Sequence, residues 1–384
     1  MKLHPVQGHE SARRSLAGAH HRGTLPAALL LHGGLGVGKQ RLALWVGQLL
    51  LCENPSESGP CDACRGCGLA LRLEHPDLHW YFPLARPRGA SGDRLGEALE
   101  ESRWAALADF RETPLRPSHA PEPRGLYLAA ARALRKQAQK RPSMGDRQLF
   151  IIGEAESLVS QEASPEAANA LLKLLEEPPE GTAFILTSNE PGRLLPTIRS
   201  RTLPLHLPPL PESEVERFLV GTAGAEADVA GRAAALARGS IGRALGFLPD
   251  GESIGPLEKL RQDAFHLLRS GLSGGRRDGY AAALGFGPSG ARGLTHLLAF
   301  VEEWLRDVAA VASGAPDAIL NVDARDYLVR VVREGGIHPL GVARAMTALD
   351  EARALAAGNV NPQLIVAGLL SDFRRALRDR DRVA

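Results

Sequence analysis

At 384 residues the chain is longer than one core usually serves, and ~100–200 residues per domain predicts two or three domains. A hydrophobic content of 44% with 23% charged residues is that of an ordinary folded protein, and 46 basic against 44 acidic side chains leave a formal charge of +2. That balance excludes strong nucleic-acid or membrane binding through bulk charge, so any such partner must meet a local patch. No uncharged apolar stretch approaches the ~20 residues that span a bilayer, and "MKLHPVQGHESARRSL" has no apolar signal region, so a cytoplasmic location without a membrane partner is expected.

In chain order, "LPAALLLHG" (25–33) predicts a short buried strand that runs into "GGLGVGKQ" (33–40). The phosphate-binding loop pattern is G-x-x-x-x-G-K-[ST], in which backbone N–H groups cradle phosphates, Lys reaches the β/γ oxygens and the hydroxyl holds Mg²⁺. Gly33, Gly38 and Lys39 satisfy it, whereas Gln40 puts an amide where the metal-holding hydroxyl belongs. The loop is either a nucleotide site that has lost its metal or a chance glycine cluster. Leu42, Trp45, Val46 and Leu49 then recur at helical spacing over 39–52, so strand, loop and helix stand in the order a phosphate site requires.

Cys52, Cys61, Cys64 and Cys67 follow as C-x₈-C-x₂-C-x₂-C. Four thiolates with no open position are the pattern of a structural zinc, with a redox pair and buried free thiols as the alternatives. His75 and His79 are surplus to that set and are expected to be surface or packing residues. "HPDLHWYF" (75–82) alternates as a second strand. The Pro-, Gly- and Arg-rich stretch from about 86 to 124, with a helix near 95–110, is expected to be a mobile surface insertion.

"GLYLAAARALRKQAQKR" (125–141) is an amphipathic helix, and "RQLFIIGEAESL" (147–158) is a strand ending in acid residues. A phosphate-loop ATPase keeps an Asp at that strand end for Mg²⁺ and often a Glu beside it to orient the attacking water. Here Gly153 replaces the Asp and Glu154 is retained, either in that role or as a solvated carboxylate. Both metal-holding side chains are missing together, which suggests that hydrolysis is no longer required. Ser164 and Pro165 are read as the cap and first turn of a helix over 166–177 that Pro178 and Pro179 end. "TAFILTSN" (182–189) and "RTLPLHL" (201–207) are the fourth and fifth strands, and the alternation of strands with helices predicts a parallel sheet covered on both faces.

Beyond "LPPLPE" (207–212) the pattern is helical: two or three short helices over 213–248, then a bundle from 255. Leu294, Leu297, Leu298, Val301, Leu305 and Val308 form one stripe, and Asn361 with Pro362 caps a last helix through Leu377. Arg201, at the entrance to the fifth strand, is a surface ion pair or an arginine finger inserted into a neighbouring subunit's site.

"LPAALLLHGGLGVGK", the four-cysteine segment, "EHPDL", "ANALLKLLEEPPEGTAFILTSNEPGRLLPTIRSR", "ARGSIGRAL" and "NVNPQL", in this order, resemble the delta-prime subunits of bacterial DNA polymerase III clamp loaders, a branch of the AAA+ proteins. The resemblance covers roughly the first 250 residues, and the C-terminal bundle only weakly. It implies an AAA+ α/β domain over 1–208 with a zinc module at 52–67, a helical lid over 209–250 and a helical collar over 251–384. It further implies a hetero-pentamer with gamma/tau and delta subunits that loads the sliding clamp onto primed DNA, one structural zinc ion, and doubtful ATP or Mg²⁺ on this chain. Arg201 would be the finger offered in trans, Ser188 and Asn189 would end the sensor-1 strand, and the lid arginine of the motor subunits would fall on Gly242, one residue from Arg243. An active gamma/tau-type ATPase and a zinc-dependent DNA-binding module are the competing readings. Against the latter, segment 52–74 offers Arg65 and Arg72 but also Glu53, Glu57, Asp62 and Glu74.

Overall fold

The computed structural model describes residues 3–91, 93–115, 124–158, 166–251, 253–272, 291–356 and 360–378, together with 277, 281, 283–285 and 358. The chain divides into two compact units, Met1–Leu245 and Gly246–Ala384.

In the first unit β1 (Ala28–His32), β2 (Leu78–Tyr81), β3 (Gln148–Ile152), β4 (Thr182–Ser188) and β5 (Leu203–His206) form one parallel sheet in the order β2-β3-β4-β1-β5. The helices are α1 (Glu10–His21), α2 (Lys39–Leu50), α3 (Arg65–Leu71), α4 (Asp93–Glu112), α5 (Leu128–Ala138), α6 (Glu166–Glu176) and α7 (Pro196–Arg199). Successive strand residues face opposite ways, so the sheet builds two cores. Leu30, Phe150, Ile152, Phe184 and Leu186 pack with Leu134, Ala138, Leu171 and Leu175 of α5 and α6. Leu29, Leu31, Leu149, Ile151 and Ile185 pack with Leu42 and Val46 of α2. Burial on both faces is why these strands read as continuous apolar runs. The chain leaves β1 for the far edge and returns past it to β5, so strand order reverses beside β1, at the C-terminal strand ends where such sheets hold ligands.

The expectation of a mobile surface insertion at 86–124 needs correction over its described part. α4 is a 20-residue helix whose Leu99 and Leu107 are buried, Leu107 in the same core as Trp80 and Phe82. Its inward stripe was masked by Arg103, which sits between those leucines at helical spacing and is itself only 5% exposed. The guanidinium lies 4.7 Å from the ring centres of both Tyr81 and Trp104 and pairs with Glu100, so its charge is covered by aromatic faces and a carboxylate. Ser164 and Pro165 lie outside the described residues.

The "EHPDL" stretch is architectural. Buried Asp77 accepts backbone N–H groups from Ser143 at 2.5 Å and Met144 at 2.8 Å, and its own N–H donates to His75 Nδ1. It thereby fixes the turn that feeds β3. His79 stacks on Phe150 at 4.6 Å, and burial first, then Arg103, pushes its pKa down to about 4. Asp77→Ala leaves two turn N–H groups without their acceptor and is expected to cost about 1–3 kcal/mol. A urea unfolding midpoint equal to wild type would contradict this role.

Three short helices, α8 (Glu212–Gly221), α9 (Ala227–Ala237) and α10 (Ile241–Phe247), occupy the region expected to be helical. In the second unit α11 (Pro256–Leu272), α12 (Ala291–Ala312), α13 (Arg325–Gly335), α14 (Pro339–Ala356) and α15 (Pro362–Arg378) follow, with no strand among the described residues. All six residues of the stripe from Leu294 to Val308 are buried on α12, and Asn361 Oδ1 accepts the Gln363 N–H at 2.9 Å to cap α15. This unit also buries a polar network that hydrophobic spacing does not reveal. Arg261 donates to Glu258, Asn321 and Asp323, and Trp304 Nε1 donates to the Arg261 carbonyl at 3.0 Å.

Candidate functional site

The loop after β1 carries the glycines where the backbone needs them. Gly38 has φ 105° at the entrance of α2, and Gly36 has φ 73° with Ser240 Oγ and the Arg243 backbone pressed against it. Ser240 Oγ donates to the Leu35 carbonyl at 2.8 Å and the Gly242 N–H to the Gly36 carbonyl at 3.0 Å, so the segment between α9 and α10 clasps the loop. At the position expected for a lid arginine, Gly242 offers only this backbone bond. The Arg243 Nε turns back to the Leu236 carbonyl on α9 at 3.3 Å.

Lys39 is 5% exposed, and its ammonium donates to the carbonyls of Gly33 at 2.9 Å and Gly34 at 2.6 Å and to Asn189 Oδ1 at 2.7 Å. An ammonium has three protons, and all three are spoken for within the chain. Asn189 is held in turn by Glu156, whose Oε1 accepts its backbone N–H at 2.9 Å and its side-chain amide at 3.1 Å. Burial brings the Lys39 pKa down to about 8 against the upward pull of Glu156 and Glu154. Glu154 is shifted upward by burial first and by Glu156 second; it stands at φ 49°, with its N–H on Thr187 Oγ1 at 3.1 Å. Glu156 is the residue that sequence reading missed. The only signal was a second acid two positions beyond the first, and what matters is that its Oε2 is buried beside the lysine with no partner among the described residues.

Gln40 and Gly153 prove to be one feature. A Cβ on Gly153 would stand 3.2 Å from Gln40 Nε2 and 3.3 Å from Phe82 Cβ, so the Gln40 amide lies across the space that an aspartate side chain would enter. The residues present therefore do not fit a phosphate-bound Mg²⁺: the hydroxyl is absent, the carboxylate is absent, and an amide occupies the gap. Gly153→Asp alone is expected to destabilise by about 1–3 kcal/mol through overpacking, and Gln40→Thr in the same chain to restore most of it. If the double variant melts no higher than the single, the two positions are not coupled.

Cys52, Cys61, Cys64 and Cys67 converge after α2 and at the start of α3, with all four sulfurs within 4.8 Å of one another. The Cys61–Cys67 and Cys52–Cys64 sulfur separations are 4.0 and 3.9 Å. A tetrahedral set at Zn–S ≈ 2.3 Å requires about 3.8 Å, so the group fits a tetrathiolate ion. Backbone N–H groups of Cys61, Cys64 and Cys67 each point at a sulfur at 3.3 Å, an arrangement that favours thiolates.

Arg201 is not brought to this site. It precedes β5, and Leu203 of β5 is level with Leu29 near the start of parallel β1, so Arg201 stands at the sheet end opposite the loop that follows β1. Its Nη2 pairs with Glu176 and its Nη1 donates to the Thr197 carbonyl at 2.9 Å.

A family model described as DNA polymerase III, delta subunit, matches residues 8–211. The delta-prime subunit of DNA polymerase III from Pseudomonas aeruginosa is 34% identical over 175 residues, covering 45% of this chain and 40% of that protein. Its counterpart from Escherichia coli K12 is 30% identical over 230 residues, covering 60% and 57%. The chain thus spans about half the length of the curated relatives it matches. Among solved structures, a gamma-subunit-related protein from Thermotoga maritima aligns over 95% of this chain and 98% of that one at 14% identity, with a TM-score of 0.42, too loose a superposition to carry argument.

Proposed function

The chain belongs to the DNA polymerase III delta-subunit family, and from that premise we propose that it is a delta-prime-like, non-hydrolysing AAA+ subunit of a clamp loader. It would work in a hetero-pentamer with gamma/tau and delta subunits to place the sliding clamp on primed DNA in the cytoplasm. Residues 1–208 would form the AAA+ domain, 209–250 the lid and 251–384 the collar that holds the ring together.

The observation that carries this reading is the closure of the phosphate loop on itself. Lys39 is consumed by Gly33, Gly34 and Asn189, and Gln40 stands in front of Gly153. A motor subunit needs that lysine and that metal position free for every turnover. Arg201 supports the complementary half of the proposal. It lies at the far end of the sheet from its own loop, out of reach of this chain's phosphate site, which supports a role toward a site on another chain.

Cys52, Cys61, Cys64 and Cys67 would hold one zinc ion with no open coordination position, which supplies folding energy and leaves no place for substrate. The test of the non-motor assignment is ATP hydrolysis by the isolated chain with Mg²⁺. No turnover above a Lys39→Ala control is expected. Magnesium-dependent turnover that this substitution abolishes would instead make the chain a gamma/tau-type motor.

A further inference from the structure

We propose that Glu176 is the positioning residue for Arg201; this rests on Arg201 being the finger offered in trans. The Arg201 guanidinium is held at two of its three nitrogens. Nη1 donates to the Thr197 carbonyl at 2.9 Å and Nη2 is ion-paired to Glu176 Oε1, whereas Nε is sealed from solvent with no acceptor among the described residues. Thr197 belongs to α7, immediately before Arg201, so that contact travels with the turn that carries the arginine. Glu176, the last residue of α6, is the carboxylate that ties the guanidinium to a different element.

The location of Glu176 is itself informative. The C-terminal end of a helix carries negative potential, so a glutamate there is disfavoured unless a cation compensates it. Arg201 supplies such a cation from outside the helix, in addition to Lys173 of the same last turn. An unrestrained arginine samples many rotamers, and holding its fork in one orientation before a phosphate arrives removes part of the cost of using it in the transition state. Both side chains are partly exposed, at 31% for Arg201 and 44% for Glu176, so the pair holds the fork without withdrawing it from solvent. A pair this exposed is weak, which bounds the effect of removing it to about fivefold.

The experiment uses a loader reconstituted from this full chain and its cognate subunits, assayed for clamp- and DNA-stimulated ATP hydrolysis. Glu176→Gln is expected to lower kcat about fivefold and leave KM for ATP unchanged, because the finger acts only in the neighbour's transition state. Glu176→Asp should recover part of the loss. In an Arg201→Ala background Glu176→Gln should cost nothing further, since nothing remains to orient. A wild-type kcat for Glu176→Gln while Arg201→Ala collapses turnover would overturn the proposal and spare the finger. A further loss on top of Arg201→Ala would also overturn it, by assigning Glu176 a structural role. Unchanged turnover in Arg201→Ala alone would remove the finger reading, and this proposal with it.

Discussion

Replacing Arg201 with alanine is expected to lower the clamp- and DNA-stimulated ATP hydrolysis of a reconstituted loader by about 10³–10⁵-fold, the loss associated with an arginine finger. The magnitude follows from where the charge acts. In water a surface guanidinium contributes little, but as a finger in a closed interface it would face the charge that builds on the transferring phosphoryl group, in a medium that screens it poorly. The cost to the subunit itself should be small, because Arg201 is 31% exposed and its carboxylate partner among the described residues, Glu176, is 44% exposed, and such pairs are worth about 0–1 kcal/mol. The substitution therefore separates chemistry from folding. Assembly and melting temperature should stay near wild type while turnover collapses, and Arg201→Lys should not restore it, since a point charge lacks the planar fork. Turnover within twofold of wild type, with assembly intact, would reduce Arg201 to a surface ion pair and leave the subunit only a scaffolding part.

Removing the metal is the second large effect expected. Zinc binding in small zinc domains carries about 10–16 kcal/mol of apparent free energy, and because the site does not exist in the unfolded chain this is folding free energy. The segment from Cys52 to Cys67 has only short-range supports of its own: a 7-residue helix beginning at Arg65, a Ser56–Gly59 bridge and a bond from the Gly66 N–H to Glu53. A side-chain bond from Gln48 Nε2 to Asp62 Oδ1 at 2.5 Å is a minor supplement. Cys64→Ser is expected to abolish stoichiometric zinc measured by atomic absorption and to open this segment to protease, while the sheet core beneath α2 stays protected. Chelation should reproduce that cleavage pattern in the unsubstituted chain. Absence of zinc from the purified protein, or a Cys64→Ser variant as resistant to protease as wild type, would rule out a structural ion.

The two predictions draw on different kinds of information, and the difference explains what could be read from the amino acids alone. Five parallel strands, the loop between Ala28–His32 and Lys39–Leu50, the cysteine set and the stripe from Leu294 to Val308 are all local patterns. Each depends on spacing within a few turns of chain, and a period of 2 or 3.6 or a Cys-x-x-Cys repeat is fully present in the letters. α4 shows where that legibility stops: the helix near 95–110 was legible, its burial was not. Arg103 occupies an inward position of its stripe, and only Tyr81 from a distant strand and the neighbouring Trp104 make a buried arginine there tolerable.

By itself, then, the sequence determined the sheet, the order of loop and helix, the loss of two metal-holding side chains and the clustering of four thiols. What only the tertiary structure decided is who faces whom. Lys39 and Asn189 are 150 positions apart, yet one satisfies the other. Gln40 fills the space in front of Gly153, Glu156 rather than Glu154 holds the asparagine, and Arg201 is carried to the end of the sheet away from its own loop. The physical reason is that these pairings are set by strand order: a parallel sheet brings the C-terminal ends of β1, β3 and β4 together and sends the entrance of β5 the other way. No periodicity along the chain encodes that order, because it arises from how the hydrophobic faces of separate elements bury one another.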